Sequence, residues 1–172
     1  IITDKTHHND IFYQQHMTHH IIKNTRLDWI NKGHNCFLIR HPAKVINSYI
    51  KKNSLMNIDD VGFKKQYEIF NKLKKNKVDY TVINADIILK DPSKTIKKLC
   101  NILKIRFTNK MLNWPKGKRS SDGIWSQVWY KNVELSNSFS KFKKEQYNVP
   151  KKYKNIYEES LKYYNEMNEQ SI

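Results

Sequence analysis

Arg40, Pro42 and Ser48, within the run FLIRHPAKVINSY from Phe37 to Tyr49, are the residues whose types and spacing carry most chemistry. A guanidinium offers a planar fork of N–H donors and a serine offers a hydroxyl, a pair suited to a phosphate monoester. Pro42 marks a helix start, because proline has no N–H to lose in a first turn and its φ is already helical. The free N–H groups of that turn and the helix dipole add partial positive charge for an anion. Cys36 to Ile39 reads as a short buried strand, so Arg40 is delivered at the carboxyl end of a sheet, where ligands sit in open α/β folds. Ser48, eight residues after Arg40, falls about two turns along the helix and reaches a ligand only if that ligand lies along the helix face. The competing reading is a surface arginine beside a helix start, with a serine packed mid-helix.

Two other clusters invite chemistry. Lys116-Gly117-Lys118-Arg119 is a short basic loop followed by a turn-like stretch from Ser120 to Gly123. Gly117 lets backbone amides approach an anion, while Lys116 and Arg119 supply charge; a solvated basic loop beside core tryptophans is the alternative. His16, His19 and His20 include one pair four apart, a spacing able to bind zinc on a helix. The Glu of HExxH and a third ligand are missing, so a polar helix face is preferred and no metal is expected.

The elements that must position these residues alternate. Ile1 to Thr3 looks like the end of a strand, His8 to Lys23 has an interrupted helical pattern, and Arg26 to Asn31 reads as a short helix. Asn35 to Ile39 is a strand and Pro42 to Lys52 a helix. Asp59 to Lys75 is a longer amphipathic helix with Val61, Phe63, Tyr67, Phe70 and Leu73 on its apolar face. Asp79 to Asn84 is a strand rich in β-branched residues. Asp91, a candidate N-cap, and Pro92 open a helix to about Leu103, with Ile96, Leu99, Cys100 and Leu103 facing the core. Strands alternating with helices of this length point to an α/β fold with a parallel sheet. The last third has no convincing strand; Pro150 starts a final helix through about Met167, with Tyr153, Ile156, Tyr157, Leu161 and Tyr164 on one side. The expected organisation is one domain over 1–172, with an α/β part at 1–104 and a helical part with the basic loop at 105–172.

The 172 residues suffice for one domain with a real core. The net charge of +16 suits an anionic partner, yet 28 of the 32 basic residues are Lys and four are Arg. Readers of bases and phosphates favour Arg, and the joint abundance of Lys, Asn, Ile and Tyr resembles the codon bias of an AT-rich genome. The charge therefore favours anions in general and names none. Cys36 and Cys100 have no metal-ligand neighbours at a useful spacing and read as buried thiols of a reducing compartment. No run of 18 apolar residues occurs and nothing resembles a signal peptide, so a cytoplasmic protein without a membrane span in this segment is expected. A start at Ile1, inside a strand-like run and without Met, suggests a fragment or a processed piece.

Arg40, Pro42, Val45, Ser48 and Tyr49 resemble the 3′-phosphate-binding motif of sulfotransferases that use 3′-phosphoadenosine 5′-phosphosulfate, with His41 where Asp or Asn is common. Lys5-Thr6-His7 resembles the Lys-Thr-His that many of these enzymes carry after their second strand, where the histidine is the catalytic base; His8 is adjacent and equally able to stand there. Val82 to Asp86, followed by Lys90-Asp91-Pro92, is similar to another family segment, with one carboxylate in place of an acidic pair, and Asp86 is assigned no chemistry. The block from Trp114 to Phe139 resembles a bacterial-type sulfotransferase-like subgroup, and its Gly123 and Trp125 fit the Gly-x-Trp that often follows the basic segment closing over the 3′-phosphate. Some members of that subgroup carry an aminotransferase-like label, but no local sequence here argues for a pyridoxal-phosphate lysine.

The resemblance, in four blocks in the expected order from Ile1 to about Phe139, implies a P-loop NTPase-like sulfotransferase fold: a three-layer parallel sheet flanked by helices, here lacking its first strand and P-loop. None of the four glycines, at 33, 62, 117 and 123, sits in a Walker-type context. The implied reaction moves a sulfuryl group from 3′-phosphoadenosine 5′-phosphosulfate to a hydroxyl or amine without a metal. Arg40 and Ser48 would hold the 3′-phosphate, and Lys116, Gly117 and Arg119 would form a lid. His7 would take the acceptor's proton and Lys5 would stabilise charge on the oxygen leaving sulfur. The acceptor would be a small molecule or a glycan, with Asn53 to Asp60 and His8 to Asn24 as candidate acceptor loops. The rivals are a noncatalytic sulfotransferase-like remnant or binding domain, a basic nucleic-acid-binding domain, which leaves the Arg40/Ser48 spacing unexplained, and a kinase needing Mg²⁺ and the same missing loop.

Overall fold

The computed structural model of the chain describes residues 11–21, 24–120, 122–124, 126, 130–144 and 146–172. Two strands and six α-helices are formed by these residues: β1 (Asn35–Ile39), α1 (Pro42–Tyr49), α2 (Phe63–Lys75), β2 (Tyr80–Asn84), α3 (Ala85–Lys90), α4 (Pro92–Ile102), α5 (Lys131–Glu134) and α6 (Lys154–Asn168). β1 and β2 pair in a two-stranded parallel sheet, and the Asn35 N–H donates to the Asp79 carbonyl at 3.1 Å where the strands begin. Their alignment follows from the connection: a helical crossover between them returns the chain to the same edge, which only parallel strands need. The molecule divides into two compact units, one of the residues up to Val82 together with Tyr147–Ser171, the other Ile83–Gln146 with Ile172.

In the first unit, Phe37 and Ile39 of β1, Ile69, Phe70 and Leu73 of α2, Val82 of β2 and Tyr164 and Met167 of α6 form one apolar cluster. Phe63, Phe70 and Leu73, seven and three residues apart, lie on one stripe of α2, the spacing that makes one helix face apolar. Helix α6 packs on α1, α2 and β1. Hydrogen bonds from the Tyr67 hydroxyl to Glu166, and from the Tyr80 hydroxyl to Gln170 Oε1 at 2.6 Å, give the polar tips of these rings partners at the rim of the core.

Several expected elements differ. β1 alternates: Phe37 and Ile39 are buried, whereas Cys36 and Leu38 are exposed, Leu38 at 59%. An apolar run reads as fully buried, but successive side chains point to opposite faces and the helices of this unit cover one. Cys36 is therefore an exposed thiol, not a buried one; Cys100 is buried. The helix expected over Asp59 to Lys75 is broken. Residues Ile58–Val61 form a 3₁₀ turn, Gly62 adopts φ +71°, and only then does α2 begin. Asn57 and Asp60 form a reciprocal capping box on that turn, and a left-handed glycine ends it. Residues 11–21 hold no α-helix but a 3₁₀ turn at Thr18–His20, and the Arg26 to Asn31 helix appears as a 3₁₀ turn at Asp28–Lys32. α1 ends at Tyr49, three residues before the expected end, and the final helix begins at Lys154 behind a 3₁₀ turn at Lys151–Tyr153.

In the second unit, Asn84 and Asp91 cap successive helices. The Asp86 N–H donates to Asn84 Oδ1 at 2.8 Å and the Lys94 N–H to Asp91 Oδ1 at 2.9 Å. The short α3 was not expected; its local signal is an Asn followed at once by Ala-Asp. Cys100 and Thr95 are the buried residues of α4, whereas Ile96, Leu99 and Leu103 are half-buried.

Candidate functional site

Arg40 follows β1 directly and precedes a capped helix. It is exposed, and among the described residues no carboxylate pairs with it. The helix start beside it is built by His41, whose Nδ1 accepts the Ala43 N–H at 3.3 Å, the role that Asp or Asn more often performs. That bond requires Nδ1 to be unprotonated. Pro42 takes the first helical position and is buried with Ala43 and Ile46, so the start of α1 is pinned to the core.

Sequence reasoning named His41 only as a departure from a motif; its second role comes from tertiary structure. The imidazole stacks on Tyr147 with ring centroids 3.7 Å apart and planes 9° from parallel, and meets Tyr164 edge-on at 5.4 Å. Lys44 Nζ lies 5.8 Å from the centre of the same Tyr147 ring, and Asn47 Nδ2 donates to the Asn148 carbonyl at 2.9 Å. A residue a hundred positions downstream thus braces the arginine-bearing turn, a contact that no local spacing announces.

Ser48 is exposed on α1. Six residues separate it from Pro42, about 9 Å of helix rise. A phosphate reaching both Ser48 and Arg40 must therefore lie along the helix, with the arginine side chain extended over the first turn. Both residues belong to the first unit.

The basic loop belongs to the second unit. Lys116, Gly117, Lys118 and Arg119 are all exposed. Gly117 has φ +101°, a conformation that side chains resist. Its N–H donates to the Glu134 carbonyl at 2.8 Å, and the Arg119 N–H donates to Asp122 Oδ2 at 2.9 Å. These two amides are engaged within the protein, and the exposed side chains of Lys116, Lys118 and Arg119 supply the loop's charge. The Trp114 N–H bonds the Asn137 carbonyl at 2.9 Å and its indole N–H bonds Ser136 Oγ at 3.2 Å, so the loop hangs from the 134–137 segment. Lys5, His7 and His8, and Trp125 of the Gly-x-Trp, lie outside the described residues.

The other histidines are engaged separately. His16 Nε2 bonds Gln14 Oε1 at 3.0 Å and its ring packs against Trp29, while His19 and His20 meet edge to face. Burial, with the neighbouring His20, lowers the pKa of His19 against the opposing pull of Asp60. Among the described residues, no three His, Cys, Asp or Glu side chains gather closely enough to hold a metal ion, and no helix is long and apolar enough to cross a membrane.

A family model described as a sulfotransferase domain matches residues 2–171. Two Arabidopsis thaliana proteins are similar in sequence. Branched-chain-amino-acid aminotransferase-like protein 1 is 30% identical over 153 residues, covering 89% of this chain and 27% of its own. Branched-chain-amino-acid aminotransferase-like protein 2 is 29% identical over 136 residues, covering 79% and 24%. The chain thus spans about a quarter of the length of these curated relatives. A solved sulfotransferase domain from the curacin biosynthetic pathway shares 19% identity with a TM-score of 0.47, over 72% of this chain and 52% of that one, a likeness too slight to bear on fold or site. Matched to the family model from residue 2 to residue 171, this chain belongs to the sulfotransferase-domain family.

Proposed function

We propose that the protein transfers a sulfuryl group from 3′-phosphoadenosine 5′-phosphosulfate to a hydroxyl or amine, with Arg40 and Ser48 gripping the donor's 3′-phosphate. The observation that carries this reading is the exposed Arg40 guanidinium, without a carboxylate partner among the described residues, beside a helix start already capped and braced. An arginine without a carboxylate partner, at the positive end of a helix dipole, fits a phosphate dianion. In the same reading the two strands belong to the family's three-layer sheet, and Lys116 and Arg119 add charge as a lid.

The chemistry asks for a base, since an acceptor hydroxyl loses its proton as its oxygen bonds to sulfur. In this reading His7 takes that proton, the task a neutral imidazole suits, and Lys5 stabilises the charge left on the oxygen that parts from sulfur. The donor supplies the activated sulfuryl group; the chain's part is to hold, orient and deprotonate.

The test is a thermal shift of the purified protein with adenosine 3′,5′-bisphosphate and with 5′-AMP, in wild type and Arg40→Ala. At 100 times its dissociation constant, a ligand specific to the native state stabilises by about 2.7 kcal/mol. Stabilisation by the bisphosphate alone, lost in Arg40→Ala, supports the proposal. A folded protein that responds to neither nucleotide overturns it and favours a noncatalytic family member.

A further inference from the structure

Two depressions in the first unit, of about 590 and 390 Å³, meet at Ile50. Both volumes fall in the range of small-molecule sites, about 300–1,000 Å³. One wall is the end of α1 and the turn after it, and the other is the segment leading into α6. The Asn47 amide holds the walls together through its bond to the Asn148 carbonyl.

The lining mixes apolar residues, Ile50, Met56, Ile156 and Pro150, with polar ones. Asn53 and Ser54 are exposed, and their side chains have no hydrogen-bond partner among the described residues. An amide carries both donors and acceptors and a hydroxyl does the same, which matches an array of sugar hydroxyls. Tyr153 is half-buried and presents a ring, with Lys152 Nζ 4.6 Å from its centre. Lys51 and Lys152 are exposed without a carboxylate partner among the described residues, and no Asp or Glu lines either depression. Leu55, 6% exposed, anchors the turn beneath.

That combination separates ligand classes. A flat phenolic acceptor favours an enclosed, mostly apolar pocket, whereas this groove is open and sets Asn53, Ser54 and two lysines among Ile50, Met56 and Ile156. An extended peptide favours a free strand edge to pair with, and the walls here are helix and turn. A saccharide bearing carboxylates matches the amides, the ring and the two unpaired ammonium groups together.

We propose that this groove binds an acidic, uronate-containing saccharide, and that such a saccharide is the acceptor; the second half rests on the sulfotransferase reading above. α1 carries Asn47 as well as Ser48, and Lys51 follows in the turn after its end, which sets the groove beside the proposed 3′-phosphate grip.

The experiment is a calorimetric titration of the purified protein with tetragalacturonate, with uncharged maltotetraose and with tetraglutamate, in wild type, Asn53→Ala and Lys51→Gln/Lys152→Gln. Adenosine 3′,5′-bisphosphate is titrated in parallel. The expected result is that tetragalacturonate binds more tightly than either control. The double lysine variant should weaken it by about tenfold, Asn53→Ala should weaken it severalfold, and bisphosphate affinity should hold in both. Equal binding of tetraglutamate, or tetragalacturonate binding unchanged in the double variant, overturns the saccharide site even where the bisphosphate binds normally. Loss of bisphosphate binding with intact saccharide binding instead removes the donor assignment and leaves the groove standing.

Discussion

The turn that carries Arg40 and the loop that carries Arg119 are both basic and exposed, yet they are built differently. Arg40 stands on a strand whose alternate residues are in the core and before a helix whose first two residues are buried. Its neighbour His41 caps that helix and stacks on Tyr147. The Arg119 loop is held by hydrogen bonds from Gly117 to Glu134 and from Arg119 to Asp122, and its residues from Lys116 to Ser120 are all exposed. Charge attracts an anion in either place. Only a charge whose backbone is fixed against a packed core avoids losing backbone freedom when the anion arrives.

The contrast extends to stability. Leu73, fully buried in the first unit, should lose about 2–5 kcal/mol on Leu73→Ala, whereas the half-buried Leu99 of the second should lose about 1–2 kcal/mol on Leu99→Ala. Urea unfolding of both variants checks this, and equal losses would break the comparison. At the anion sites, Arg40→Ala should weaken adenosine 3′,5′-bisphosphate by about 100-fold, the loss of charge-assisted hydrogen bonds at a fixed site. Lys116→Ala/Arg119→Ala should weaken it by about tenfold or less. Equilibrium titration decides, and a larger loss in the loop variant would reverse the assignment of the principal grip.

Two glycines sharpen the same contrast. A Cβ at Gly62 would lie 2.7 Å from Thr18 Oγ1 and 3.1 Å from the His19 nitrogen, in a backbone at φ +71°. Gly62→Ala should therefore destabilise by about 2–3 kcal/mol, read as a lower melting temperature. At Gly117 the space is open and only the backbone at φ +101° resists, so Gly117→Ala should cost about 1–2 kcal/mol. His41→Ala should lose the cap, about 1 kcal/mol, and weaken bisphosphate binding with it, while His41→Asn should restore the cap but not the stack on Tyr147. Paired melts and titrations of the two variants separate the roles. The smallest effect concerns pH. With its folded pKa lowered, His19 binds its proton more readily unfolded, so its contribution is whole above the usual histidine value near about 6.5 and declines as pH falls below it. His19→Gln should flatten the stability profile there, and an unchanged slope would discount the burial of that ring.

The legible parts were those with local causes. The β1 bounds, the helix start at Pro42 and the cap at Asp91 follow from residues within four positions of each other, whereas the cap at Asn84 and the short helix it starts were read only as a strand end. The Arg40-to-Ser48 spacing is likewise visible in the chain, and the family match spans it. The break at Gly62 was missed because hydrophobic periodicity runs straight through it from Val61 to Phe63, although a lone glycine marked the place. Cys36 was misplaced because an apolar run does not say how many faces of a sheet are covered.

By itself the sequence determined the two strands and the helices that start at Pro42 and Pro92, the strand-to-helix junction and the arginine that ends it, since each depends on short-range backbone sterics and capping. Tertiary structure alone decided that His41 would stack on Tyr147, that the Gly117 amide would be engaged by Glu134, and that Asn47 and Asn148 would close the walls of a groove. Those contacts join residues whose separation along the chain is set by how the core packs, and no local pattern encodes a packing partner.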